Sequence, residues 1–129
     1  MELNNNVVAW FEIPVHDMER AIQFYQTVFG FPLQRQSMGV LDMALFPCVT
    51  AGLGTAGALV RHPDFYRPSA EGTLVYFTAH SGDLDQELSR VEAAGGKILM
   101  GKKLITNEIG YMALLTDTEG NRIALHSRK

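Results

Sequence analysis

Residues 17–30 read DMERAIQFYQTVFG, and residues 83–96 read DLDQELSRVEAAGG. Both open on an aspartate suited to a helix N-cap and close on a glycine suited to a helix stop. In the first stretch Met18, Ile22, Tyr25 and Phe29 recur at helical spacing. Glu19 falls in the first turn, where the helix dipole favours a negative charge. In the second, Leu84, Leu88 and Val91 form the apolar face. Asp83 with Gln86 three residues later reads as a capping box. The caps differ by 83 − 17 = 66 and the glycines by 96 − 30 = 66. The same offset sets Met18 on Leu84, Glu19 on Asp85, Ile22 on Leu88 and Leu33 on Leu99. Caps, stops and apolar face agree at one shift, which indicates an internal repeat.

The flanking segments fit that repeat. Residues 7–15 are β-branched and aromatic and read as a strand. Pro14 cannot donate to a ladder, so it belongs near the strand end or at an edge. Strands are expected over Leu33–Met38 and Leu41–Phe46 around Gly39, and a short one over Ala58–His62. Residues 63–72 carry two prolines and a glycine and read as a linker. Thr73–His80, Lys97–Thr106, Tyr111–Thr116 and Arg122–Ser127 are the later strands, with a turn over 117–121. The order is βαβββ twice: module one at 7–62, linker at 63–72, module two at 73–127.

Composition is compatible with one compact α+β domain. The chain has 129 residues, 47% hydrophobic, 19% charged and 9% aromatic, which excludes a disordered chain, a collagen-like repeat and a coiled coil. Eleven Lys+Arg against 14 Asp+Glu leave a net charge of −3, so no nucleic acid is expected as partner. One cysteine, Cys48, allows no intrachain disulfide and points to a reducing compartment. No apolar run approaches the ~20 residues of a membrane span, and no basic-then-apolar leader is visible. A cytoplasmic protein with no membrane contact is expected.

Three stretches carry a family resemblance: Phe11–Val15 running into Asp17–Phe31, Asp83–Gly96, and Thr116–Ile123. They resemble the vicinal oxygen chelate superfamily, the group of glyoxalase I, bleomycin-resistance proteins and extradiol dioxygenases. The resemblance implies two βαβββ modules forming one curved mixed sheet around a cup, and a homodimer. In metal-dependent members, His and Glu from the first and last strands of each module hold a divalent ion. Here the matching first-strand positions are Trp10 and Tyr76 (10 + 66 = 76), and the last-strand position of module two is Ala124. The counterpart in module one falls near Val60, by a shift of 64 that also pairs His62 with His126. None is a normal ligand for such ions. No metal or other cofactor is therefore expected, with a divalent metal held by Glu12, His80 and His126 as the alternative.

Strand alternation assigns the rest of the cup. With Trp10 facing it, Val8 and Glu12 face it too, while Phe11, Ile13 and Val15 face the helix. The same reasoning sends Tyr76, Thr78 and His80 inward from module two, and Arg122, Ala124 and His126 from the last strand. The expected ligand site is Trp10, Glu12, Tyr76, Thr78, His80, Ala124 and His126, taking a small polar or aromatic molecule. Glu12 and His126 are the candidates for acid–base chemistry of a lyase or isomerase type. Each also has a plain reading: Glu12 as a solvated rim carboxylate, His126 as a tail residue in water, His80 as part of the turn, Trp10 as core. Cys48 lacks neighbours that would lower its pKa and reads as an idle thiol. Gly52–Gly57 lacks the lysine ending of a phosphate loop. Phe65 and Tyr66 on the linker read as a lid or an interface, and a non-catalytic interaction subunit is a further alternative. Whether the protein is an enzyme, of the lyase or dioxygenase type, stays open at this level.

Overall fold

The computed structural model describes residues 2–129. Module one comprises β1 (Trp10–Pro14), α1 (Met18–Phe29), β2 (Gln34–Met38), β3 (Leu41–Leu45) and β4 (Ala56–Arg61). Module two comprises β5 (Val75–Thr78), α2 (Leu84–Leu88), β6 (Lys97–Thr106), β7 (Gly110–Thr116) and β8 (Arg122–Ser127). The α+β fold of two βαβββ modules is present. Its curved mixed sheet is hydrogen-bonded as two four-stranded sheets, ordered β1-β4-β3-β2 and β5-β8-β7-β6. In each, the first strand runs parallel to the last and the others antiparallel. β1 and β5 are therefore both edge strands, and Pro14 closes one of them where no partner needs its N–H. No helix is long and apolar enough to cross a membrane among the described residues.

α1 forms as its sequence dictates. The Asp17 carboxylate accepts from the Arg20 N–H, and Gly30 stops the helix in the left-handed region at φ 80°. Met18, Ala21, Phe24, Tyr25, Val28 and Phe29 go to the core. α2 departs from the repeat. It spans five residues, and beyond it Arg90 and Val91 bond three residues back instead of four. The expected reciprocal capping box is absent: the Asp83 N–H bonds the Ser81 hydroxyl, not Gln86. The Asp83 cap itself is present, its carboxylate accepting from the Asp85 N–H at 3.0 Å, and Ser81 with the buried Glu87 reinforces it, Glu87 accepting from both the Ser81 N–H and its hydroxyl.

The glycine match at offset 66 also hides two different causes. Gly95, not Gly96, takes the positive φ, at 99°. Gly96 is required by space: a Cβ there would stand 2.5 Å from the Phe24 ring and 2.6 Å from the Thr116 carbonyl oxygen.

One aromatic core serves both modules. The rings of Phe11, Tyr25, Phe29, Phe46 and Phe77 pack with centroids 4.9–6.0 Å apart. A polar knot beside it ties α1 to the β7–β8 turn. The buried Tyr25 hydroxyl donates to Asp117 at 2.7 Å. Buried Glu119 accepts from the backbone N–H groups of His16 and Asp17, both at 2.8 Å, and from Arg20 Nε at 2.7 Å. Burial alone pushes the Glu119 pKa up; the hydrogen bonds from Arg20, Asp17, His16 and Thr118 overrule it and hold it at about 2.

A carboxyl depressed in the folded state contributes stability above its unfolded pKa, near 4.5, and loses it as pH falls towards about 2. Urea midpoints of the protein should therefore drop across that window. In Glu119→Gln the midpoint at neutral pH should start lower, by about 3 kcal/mol of stability, and this part of the acid slope should vanish. An unchanged slope in the variant assigns the acid sensitivity to other carboxylates.

Candidate functional site

The site lies where the two sheets meet. Phe11 and Phe77 touch edge-to-face at 5.9 Å behind β1 and β5, so these two edges run side by side without a hydrogen-bond ladder between them. Alternation then turns their other residues forward. Ile13 and Phe77 are buried, while Trp10 stays 44% and Tyr76 49% exposed. An open cleft of about 1270 Å³ follows this seam, lined on its core side by Phe11, Ile13, Phe46 and Phe77. Trp10, Glu12, Tyr76, Thr78, His80 and Arg122 all line it.

Glu12 is the best-engaged polar group. Its carboxylate accepts from the Trp10 indole N–H at 3.2 Å and from the Tyr66 hydroxyl at 2.5 Å. The bond to Glu12, followed by partial burial, raises the Tyr66 pKa. Tyr66 packs on Met43, Ala58 and Val60, so the expected exposed Phe65–Tyr66 pair is split: Phe65 stays outside and Tyr66 turns in. The linker is thus a strap. Further on, the Ser69 N–H donates to Asn121 Oδ1 and the Gly72 carbonyl accepts from Arg122 Nη2. Arg67 on this strap also reaches the cleft.

The remaining expected residues fare differently. His80 is exposed, with its ring edge-on to Phe31 at 5.8 Å. Thr78 is exposed on β5 opposite His126. The Tyr76 hydroxyl donates to Met112 Sδ at 3.6 Å, so its ring crosses β8 at Ala124, which is fully buried. Ala124 therefore supports Tyr76 from beneath and does not line the cleft. His126 does not line it either; its Nε2 lies 2.6 Å from the Ile109 carbonyl oxygen on the β6–β7 connection. Glu12 and His126 are not brought together as an acid–base pair.

Strand register corrects the match made through Val60. Trp10 stands opposite Ala56 and Tyr76 opposite Ala124, so the last strands correspond by 124 − 56 = 68. The four positions that would hold a divalent ion are Trp10, Ala56, Tyr76 and Ala124. An indole, a phenol and two methyl groups supply no imidazole, thiolate or carboxylate, so this donor set does not fit such an ion. Nor do three His, Cys, Asp or Glu side chains gather anywhere suitable among the described residues, which leaves Glu12, His80 and His126 apart.

Residues 7–125 match the family model of the glyoxalase/bleomycin resistance protein/dioxygenase superfamily. A glyoxylase-like domain-containing protein of Didymella fabae is 26% identical over 124 residues, covering 94% of this chain and 93% of that protein. The crystal structure of a glyoxalase/bleomycin resistance protein from Streptomyces sp. CB03234 is 28% identical, with a TM-score of 0.65 over 92% of this chain and 98% of that one. Glyoxalase I from Zea mays shares the fold at 19% identity, with a TM-score of 0.68 over 93% of this chain. The chain spans 45% of the maize protein's length.

The linker reads as a lid or an interface from sequence, but its contact with the site does not, because Tyr66 meets Glu12 across 54 positions. Its role as a strap is testable. Tyr66→Phe should lower global stability by only about 1.5 kcal/mol, the lower end for a hydrogen bond to a charged group, as fits an exposed pair. Limited proteolysis within residues 63–72 should nevertheless accelerate severalfold. Equal cleavage rates in variant and parent would mean that Glu12 does not hold the strap.

Proposed function

The chain belongs to the glyoxalase/bleomycin resistance protein/dioxygenase superfamily, and within it we propose a small-molecule-binding protein that takes a planar aromatic ligand without a bound metal. The observation that carries this reading is the pair Trp10 and Tyr76. Both stand half-exposed in the cleft, at the positions where metal-dependent relatives are expected to place ligands. Half-exposed aromatic rings in a concave site offer apolar area with fixed geometry, and a flat ligand completes their burial. Glu12 supplies an oriented acceptor beside them, held by Trp10 and Tyr66. Reversible binding, not turnover, is the reading favoured by the separation of Glu12 from His126.

A second copy of the chain is the partner this reading carries. Met38, Val40, Leu99, Leu104, Ile105 and Ile109 are exposed on and beside the outer strands of the two sheets. Exposed apolar residues gathered at sheet edges mark surfaces that other chains cover. Sedimentation should give a dimer, and Leu104→Lys combined with Ile109→Lys should shift it towards monomer. A monomer across the measurable concentration range removes the second copy from this reading.

Trp10 is the chain's sole tryptophan, so intrinsic emission reports on the cleft alone. The neutral probe 2-naphthamide should change that emission saturably, and Tyr76→Ala should weaken binding at least fivefold. Zinc, nickel, manganese or iron(II) added after chelator treatment should leave the Tm in place. A ligand that binds only the folded state at a hundred times its Kd adds about 2.7 kcal/mol of stability. A metal-specific rise of that size, or an emission that no aromatic probe moves, overturns the proposal.

A further inference from the structure

We infer that the ligand of this cleft is an aromatic carboxylate whose acidic group is received by Arg122; this rests on the aromatic-ligand reading above. Arg122 opens β8, and its side chain lines the cleft at the end where the strap crosses. Nη2 donates to the Gly72 carbonyl at 3.1 Å. Nε is buried and has no hydrogen-bond partner, the single buried side-chain nitrogen or oxygen in that condition among the described residues. A buried donor left unpaired is costly, and a guanidinium donor more so. That nitrogen is closed to solvent, so a ligand removes the cost by drawing the guanidinium round to its own acceptor.

The charge pattern selects the kind of acceptor. Arg20 and Arg35 have carboxylate partners at 2.5–2.7 Å, whereas the other five arginines form no ion pair among the described residues. Arg61, Arg90 and Arg128 donate to backbone carbonyls and do not line the cleft. Of these five, Arg67 and Arg122 line the cleft. The acidic groups lining it are Glu12 and Glu71. Glu12 is committed to Trp10 and Tyr66, and Glu71 is exposed on the strap. His80 lines the cleft as well. The guanidinium edge presents parallel N–H donors that match the two oxygens of a carboxylate, a match that a lysine ammonium or a neutral amide cannot reproduce. An aromatic carboxylate can stack its ring at Trp10 and Tyr76 while its charge meets Arg122.

The test compares 2-naphthoate with 2-naphthamide, which share a ring system and differ in charge. Trp10 emission reads both titrations. The parent protein should bind the acid at least tenfold more tightly than the amide. Arg122→Gln should cut that preference to within twofold, and Arg122→Lys should keep an intermediate preference because charge remains and the fork is lost. Equal affinities in the parent protein overturn the inference and leave the aromatic-ligand reading standing. A preference that survives Arg122→Gln in full also overturns it, by placing the acid group elsewhere. Failure of both probes to move Trp10 emission overturns the reading and the inference together. The parent comparison decides the acid preference even where a variant folds poorly.

Discussion

Asp117 is the group on which the arrangement of the two modules depends. It is 4% exposed, and its carboxylate accepts four hydrogen bonds: from the Tyr25 hydroxyl, the backbone N–H groups of Glu119 and Asn121, and Asn121 Nδ2. A buried carboxylate is tolerable only when its oxygens are saturated in this way. Three of the bonds shape the β7–β8 turn, and the fourth crosses to α1 of the other module. Burial, followed by the Asp117 charge and hydrogen bond, holds the Tyr25 phenol well above its ordinary pKa, so the link persists across the working pH range. Asn121 extends the link: its Nδ2 also donates to the Pro14 carbonyl at 2.7 Å, and its Oδ1 receives the strap at Ser69.

Once that turn is fixed, the cleft follows. Holding the end of β1 against the start of β8 brings the free edges of β1 and β5 together. The shared ring cluster behind them prevents the modules from sliding apart. Because β1 and β5 exchange no ladder bonds, the seam remains a groove instead of closing into a continuous sheet. The Tyr66–Glu12 and Ser69–Asn121 contacts then draw the strap across the front. Scaffold and site thus share Asn121, whose neighbour Arg122 carries the unpaired donor in the cleft.

What the sequence alone made legible was local or periodic. α1, with its Asp17 cap and Gly30 stop, rests on contacts within one helix, and the alternation of β1 correctly sends Trp10 and Glu12 forward. α2 begins at the Asp83 cap that the sequence suggests, but the reciprocal bond from Gln86 is missing and Ser81 with Glu87 closes the turn instead, outside the pattern that Asp83 and Gln86 suggest. The register of β4 was misplaced because the loop after β3 has no counterpart of equal length in module two, so an offset fitted on helices does not carry through it. His126 was placed on the correct face of β8, yet the β6–β7 connection folds back and presents the Ile109 carbonyl to it. Such contacts depend on how segments distant in sequence return to one another, and no spacing encodes them.

The exchange of metal ligands for aromatic rings has a steric logic of its own. Tyr76 crosses β8 to reach Met112, which is possible only because the residue beneath it, Ala124, ends at a methyl group. A glutamate at that position, the side chain the family resemblance leads one to expect, would occupy the space the ring takes. In the other module the large Trp10 pairs with the small Ala56, but its indole leans along β1 to Glu12 and Ala56 itself lines the cleft. Large and small residues at facing positions fill a layer without overpacking. Module two therefore holds a coupled pair, and placing a longer side chain at Ala124 requires shortening Tyr76. A single substitution at Ala124 would lose the packing under Tyr76 without supplying a complete donor set.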